Sequence, residues 1–143
     1  MKLLLIILCF ITSGAVVQDS NVWETLSKLR WESINDPAMG MEVQKPIFGD
    51  EIKALDGEEV ELEGYILPVE VEGDLVVLSS LPYASCFFCG GAGPETVMQV
   101  DIKKKISIVD KKVRVRGMLK LNDQDFFSLI YSLEKAKLIE VID

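Results

Sequence analysis

Two runs of alternating apolar and charged residues, each with a glycine at an apolar position, constrain the fold of this chain most strongly. The first run, at 59–66, reads EVELEGYI, and the second, at 113–120, reads VRVRGMLK. Strict alternation predicts β-strands with one apolar and one charged face. An interior glycine such as Gly64 or Gly117 marks a bend or bulge. Two long bent strands favour a small closed barrel.

Shorter patterns complete this prediction. Strands are expected at 75–78, 96–102 and 107–109, and a short N-terminal helix from Asn21, which forms a capping box with Glu24, to about Trp31. Residues 126–136 fit a helix or a strand equally well; we favour a helical turn at 123–126 followed by strands to Val141. The predicted fold is mainly β: a five- or six-stranded barrel of the oligonucleotide/oligosaccharide-binding (OB) type with a short N-terminal helix. A sandwich is the alternative.

The first fifteen residues have the pattern of an export signal. Lys2 precedes an apolar run at 3–11, and Ser13-Gly14-Ala15 forms a small-x-small cleavage site. We therefore expect a signal peptide at 1–15, a helix and extended connector at 16–46, and the OB-like barrel at 47–143. The apolar run is too short to span a bilayer, so we expect an exported, periplasmic or extracellular protein with no transmembrane segment in the mature chain.

Charge is distributed unevenly along a chain whose net charge is −8. Acidic residues dominate 50–74 and basic residues dominate 103–120. We interpret both stretches mainly as solvated strand faces, which would make the molecule strongly dipolar. The acidic balance and the lack of an aromatic stacking pattern argue against nucleic-acid binding.

Thiol or soft-metal chemistry is confined to one segment, because the chain has no histidine and only Cys86 and Cys89 remain after the signal. The Cys-x-x-Cys spacing followed by Gly90 is typical of half a metal knuckle. Zinc needs two further ligands, which a homodimer with two such loops would supply, whereas copper(I) could be held by Cys86, Cys89 and Met98.

A disulfide between Cys86 and Cys89 is the alternative, since exported proteins retain disulfides. Phe87 and Phe88 would then lie on a rigid loop, where adjacent side chains point in opposite directions and one ring is exposed. With Tyr83, Gly90 and Gly91 they are the candidate residues facing a ligand or partner. A catalytic thiol pair normally begins a helix, and the glycines after Cys89 do not favour one.

Several short segments resemble an uncharacterised family of small exported bacterial OB-like proteins. They lie at 53–60, 64–68, 82–83, 113–119 and 131–133, and the resemblance covers about residues 46 to 140. It implies a barrel and export, while the family's biochemical role is undefined. Relatives carry a proline-rich segment in place of Cys-x-x-Cys-Gly-Gly, so the resemblance implies no metal or redox activity.

The sequence thus predicts an exported binding or accessory module, whose cysteine segment holds a disulfide or a metal and whose partner is a small ligand or an exported protein. A periplasmic thiol-disulfide oxidoreductase using Cys86 and Cys89 is the alternative. Other enzyme chemistry is not favoured, because a chain without histidine has no ordinary catalytic triad or imidazole base.

Overall fold

A closed five-stranded β-barrel forms the centre of the protein. The computed structural model describes residues 17–18, 22–69, 75–102, 108 and 110–142. The barrel strands are β4 (Glu59–Leu67), β5 (Leu75–Ser79), β6 (Val97–Asp101), β7 (Lys112–Leu121) and β8 (Tyr131–Ile142). Their order is β4-β5-β6-β8-β7, and pairing of β7 with β4 closes the barrel. The prediction of a small, mainly β barrel is confirmed.

The two glycine-interrupted runs form β4 and β7, which pair antiparallel from Glu59–Met118 to Tyr65–Lys112. β4 also pairs with β5 from Tyr65 onward. At Gly64 an added Cβ would lie 2.6 Å from the carbonyl oxygen of Ser79, so the backbones approach too closely for any side chain. At Gly117 the β7–β8 register shifts: Arg116 pairs with Lys137 and Met118 with Glu134, so the extra residue of this irregularity lies in β8 and not in β7.

The N-terminal region differs from its predicted form. Helix α1 (Val22–Leu26) ends well before Trp31, and the expected connector is a hairpin of β2 (Arg30–Asp36) and β3 (Met41–Ile47). Asp36 makes the turn: its Oδ1 accepts a hydrogen bond from the Ala38 N–H, and its carbonyl accepts one from Gly40, which has a φ of +64°. The connector expected between the helix and the barrel is therefore a β-hairpin over most of its length.

Two further elements accompany the barrel. Strand β1 (Val17–Gln18) pairs parallel with β4, and the short helix α2 (Asp50–Lys53) precedes β4. The predicted strand at 107–109 lies largely outside the described residues, and the predicted signal at 1–15 lies outside them entirely. Among the described helices none is long and apolar enough to cross a membrane.

The hydrophobic core fills the barrel and continues into the two helices. Leu26 of α1 and Ile52 of α2 are fully buried in the same cluster as the interior residues of β4 and β7. The Nε1–H of Trp23 donates a hydrogen bond of 2.7 Å to the carbonyl oxygen of Glu63, which ties α1 to β4. The helices therefore close one end of the barrel.

Opposite charges meet on the outer surface of β4 and β7. Arg116 donates two hydrogen bonds to Glu61, and Arg114 donates one of 2.6 Å to Glu63. Lys112 also lies 2.7 Å from Glu63. Because the acidic and basic strands are neighbours, their charges compensate locally, and Glu61 is buried instead of solvated. The expected strongly dipolar arrangement does not hold for these two strands.

Residues 122–130 form a loop between β7 and β8, and β8 begins at Tyr131. The side chain of Asn122 organises this loop: its Oδ1 accepts from the Asp125 N–H, and its Nδ2 donates to the carbonyl oxygens of Asp125 and Leu129. Side-chain hydrogen bonds of this kind compete with helix formation. The ambiguity at 126–136 is thus resolved as loop and strand, without the expected helical turn.

Candidate functional site

The two cysteines lie in the segment that joins β5 to β6, residues 80–96, which we call the cysteine loop. It contains 3-10 turns at Tyr83–Ser85, Phe87–Cys89 and Pro94–Thr96. Cys86 is fully buried and packs with Leu67, Val77 and Val97 in a small cluster separate from the main core. The cysteine loop therefore covers the outer face of the barrel strands.

The backbone of the Cys-x-x-Cys-Gly-Gly segment is tightly turned. Gly90 has a φ of +77°, a left-handed conformation that glycine adopts more readily than other residues. The carbonyl oxygen of Cys86 accepts hydrogen bonds of 3.1 Å from both the Cys89 and the Gly91 N–H groups. A Cβ on Gly91 would lie 2.6 Å from the carbonyl oxygen of Ser85, so Gly91 must also be glycine. The Cys89 and Gly91 N–H groups are thus hydrogen-bonded to the backbone carbonyl oxygen of Cys86 and not to a cysteine sulfur.

The thiols of Cys86 and Cys89 are neighbours with different environments. Their sulfur atoms are 3.7 Å apart, and both thiols are free. A disulfide bond is about 2.05 Å long, so the sulfurs would have to move together by about 1.6 Å to form one. The hydrogen bond with Cys86, together with burial, raises the pKa of the exposed Cys89 thiol. The predicted disulfide stays a prediction.

Met98 lies apart from the cysteines. It belongs to the main core of the barrel, whereas its neighbour Val97 belongs to the small cluster around Cys86. Successive side chains of a strand point to opposite faces, so Met98 faces the interior and Val97 the cysteine loop. Among the described residues no group of three or more histidine, cysteine, aspartate or glutamate side chains could hold a metal ion. The structure does not bring together the three predicted copper ligands.

The predicted partner-facing residues of the cysteine loop differ in how far they are exposed to solvent. Phe87 is half-buried against the Cys86 cluster, and the ring of Phe88 meets it edge-on at a centroid distance of 5.2 Å. Phe88 and Tyr83 are exposed, with 47% and 41% of their surface accessible. Gly90 and Gly91 are exposed as well. One phenylalanine thus packs inward and the other faces solvent.

A cleft of about 270 Å³ lies beside the cysteine loop, where three segments that are distant in sequence meet. Trp31 and Pro46, which are paired in the β2–β3 hairpin, form one wall, and Phe87 and Pro94 form another. The 122–130 loop forms the rest. We call this the aromatic cleft; its lining residues are Trp31, Gln44, Pro46, Phe87, Pro94, Asn122, Asp123, Asp125, Phe126, Phe127, Ser128, Leu129 and Ile130.

Several large apolar side chains of the aromatic cleft are exposed to solvent. Phe127 is 91% exposed, and Trp31 and Phe126 are exposed by 40% and 38%. The sequence patterns did not predict Phe126 and Phe127 as site residues. The sequence does contain a signal for them: Phe126 and Phe127 follow the polar residues 122–125 directly. Two adjacent aromatic rings in a polar loop have no strand face to cover.

The electrostatics of the aromatic cleft are acidic. The Ser128 hydroxyl and the Phe127 N–H donate hydrogen bonds to Asp125, and these lower the pKa of its carboxyl group. Asp123 lies 3.7 Å from the ammonium group of Lys45, which is outside the lining. No lysine or arginine occurs among the described residues that line the cleft.

A wider cavity of about 500 Å³ adjoins the aromatic cleft on the barrel side. Leu75 and Gln99 of β5 and β6 line it, together with Ser132 and Glu134 of β8. The two cavities share four residues of the 122–130 loop: Asn122, Asp125, Ser128 and Leu129. This loop therefore lies between the two cavities and contributes to the lining of both.

Comparison with known proteins adds little to this geometry. No protein-family model matches the chain, and no curated protein matches it. Among solved structures, the chain is similar to the crystal structure of a DUF3299 family protein from Pseudomonas aeruginosa PAO1, with 24% identity and a TM-score of 0.44. The match covers 62% of this chain and 65% of that protein, and so less than two thirds of the latter's length.

Proposed function

We propose that this protein is an exported binding module of the OB type, and that the aromatic cleft is its ligand site. The observation that carries the proposal is the convergence of Trp31, Phe87, Phe126 and Phe127 from three separate segments on one cleft. Exposed aromatic side chains cost solubility, and contiguous exposed apolar surface commonly marks a binding site. A concave apolar site with a few polar groups is the usual form of a small-molecule site.

The position of the cleft in the barrel supports the OB assignment. Numbered within the barrel alone, the strands follow the order 1-2-3-5-4, and the 122–130 loop joins the fourth strand to the fifth. In OB barrels that loop contributes to the ligand site together with the surface of the second and third strands. The wider cavity lies against those two strands through Leu75 and Gln99.

We assign the cysteine loop a structural role in this site, with a disulfide between Cys86 and Cys89 as its clamp. Cys86 packs on the same small cluster as Phe87 and Leu129, and both of these residues also line the aromatic cleft. Fixing the loop therefore fixes one wall of the cleft. Full burial of Cys86 leaves its sulfur little room for ligands from a second copy, which favours the disulfide over a shared metal site.

The proposed ligand site can be tested by fragment screening with ligand-observed NMR on the isotopically unlabelled protein. We expect several fragments of aromatic-cleft size to bind the wild type and to lose binding in Trp31→Ala and Phe127→Ala. Ile139→Ala is the matched control, because Ile139 is an exposed apolar residue on β8 that does not line the cleft. Binding that is absent, or that survives both cleft variants, would exclude the site.

Export rests on the N-terminal pattern of Lys2, the apolar run and Ser13-Gly14-Ala15. N-terminal sequencing of the protein recovered from its native compartment is expected to begin near Val16. An intact Met1 on protein in the cytoplasm would overturn this part of the proposal.

A further inference from the structure

We infer that the aromatic cleft binds a small organic cation of the ammonium type. This inference rests on the proposed function, and it adds the chemical class of the ligand. It depends on three features of the cleft: its charge, its aromatic surfaces and its size.

The charge of the lining favours a cation. Asp123 and Asp125 are its ionisable residues, and the described lining contains no cationic side chain. Lys45 partly compensates Asp123, whereas the Asp125 carboxylate accepts hydrogen bonds from two uncharged donors, the Ser128 hydroxyl and the Phe127 N–H. The whole chain carries a net charge of −8, so its field also attracts cations and repels anions.

The aromatic rings favour an organic cation over a metal ion. Trp31, Phe87, Phe126 and Phe127 contribute four aromatic side chains to the lining. The π-face of an aromatic ring attracts an ammonium group and packs against its methyl groups. A hard metal ion would need several oxygen ligands in close geometry. In the cleft, the Asp125 carboxylate is already engaged by its own loop, and Asp123 faces Lys45.

The size of the cleft limits the ligand. A volume of about 270 Å³ lies just below the range of about 300–1,000 Å³ typical of drug-sized ligands. It suits a cation of a few carbon atoms, such as a quaternary ammonium compound. Hydrogen bonds of the Asn122 and Asp125 side chains hold the backbone of the 122–130 loop, which carries both phenylalanines, in place before a ligand arrives.

Titration with choline and with its uncharged isostere 3,3-dimethylbutan-1-ol tests the inference. The readout is the pair of indole N–H signals in two-dimensional NMR spectra of the ¹⁵N-labelled protein. We expect choline to shift the Trp31 signal saturably. The Trp23 signal should not move, because the Trp23 indole N–H donates a hydrogen bond to the Glu63 carbonyl oxygen on the barrel and Trp23 does not line the cleft. The neutral isostere should bind at least about tenfold more weakly.

Two charge variants sharpen the test in opposite directions. Asp123→Asn should weaken choline binding about threefold, whereas Lys45→Met, which removes the cation facing Asp123, should strengthen it about threefold. A gain in affinity cannot result from misfolding. Asp50→Asn, an exposed carboxylate at the start of α2, should change nothing.

The possible failures are distinguishable. Equal binding of choline and its isostere, or no response to choline when fragments do bind the cleft, overturns the cation inference and leaves the proposed ligand site intact. Absence of binding by any fragment and by choline overturns both.

Discussion

The hydroxyl group of Tyr131 donates a hydrogen bond of 2.8 Å to the carbonyl oxygen of Leu26, across a separation of 105 residues. Both side chains are fully buried, and the Tyr131 ring lies 6.1 Å from that of Phe48. Leu26 is the last residue of α1, where helix carbonyls lack partners within the helix. The bond thus joins the first residue of β8 to the helix that closes the barrel.

Tyr131→Phe is expected to destabilise the protein by about 1 kcal/mol, because it removes the shorter of the two hydrogen bonds to the Leu26 carbonyl oxygen and leaves only the one of 3.4 Å from the Leu29 N–H. The free energy of unfolding from urea denaturation measures this loss. Tyr83→Phe is the control: Tyr83 is exposed on the cysteine loop, and its replacement should change stability by less than about 0.5 kcal/mol. Equal stability of Tyr131→Phe and the wild type would show that the bond does not support the helix.

The same tyrosine predicts a dependence on alkaline pH. Burial raises the pKa of Tyr131 above that of an unfolded tyrosine, about 10. Above pH 10 the unfolded chain loses this proton while the native state keeps it, so stability falls as the pH rises, and the contribution is fully present below pH 10. The stability difference between wild type and Tyr131→Phe should therefore shrink between pH 10 and 11. A constant difference would contradict the assignment.

Gly64→Val is expected to destabilise the barrel by about 2–3 kcal/mol through overcrowding. An added Cβ would lie 2.6 Å from the Ser79 carbonyl oxygen and 2.8 Å from Leu78 Cγ, so both β4 and β5 would have to move. Gly49→Val is the matched control, because nothing lies within 4 Å of the Cβ position at Gly49. Chemical denaturation of the two variants should give clearly separated midpoints, and coincident midpoints would refute the close approach.

The barrel could be predicted because its strands have a buried and an exposed face. In β4 and β7 the interior residues alternate with outward-facing residues that are mostly charged, and burial in the structure follows that alternation in β7. The β2–β3 hairpin gave no such signal, because both of its faces are largely exposed and its residues were free to be polar. Helix α2 is only four residues long, too short for a period of 3.6 to be visible.

The candidate site was only partly predictable for a different reason. Cysteine spacing is a local property, so the cysteine loop and its glycine at 90 could be identified from the sequence. The aromatic cleft depends on contact between Trp31, Phe87 and Phe126, which lie on three segments brought together only by the fold. Met98 is buried inside the barrel because of the face of β6 on which it lies. Its closeness to Cys89 in the sequence does not reveal which face that is.

The two cysteines should respond differently to replacement by serine. In reduced protein, Cys86→Ser is expected to cost about 1–3 kcal/mol, because it places a hydroxyl group in the apolar cluster of Leu67, Val77 and Val97. Cys89→Ser alters an exposed position and should cost less than about 0.5 kcal/mol. Unfolding under reducing conditions separates these effects from any disulfide. Equal costs would mean that Cys86 is not buried as described.

Alkylation kinetics distinguish a structural thiol pair from an exchange catalyst. The neighbouring Cys86 raises the pKa of Cys89, so less Cys89 thiolate is present at pH 8 than in an unfolded chain. Reduced native protein should therefore react with iodoacetamide at Cys89 more slowly than the same protein in urea, as followed by mass mapping of the peptides. Cys86→Ala removes the cause of the shift and should accelerate the reaction. A native Cys89 or Cys86 that reacts faster than in urea would instead indicate an activated thiol, as a thiol-disulfide oxidoreductase requires.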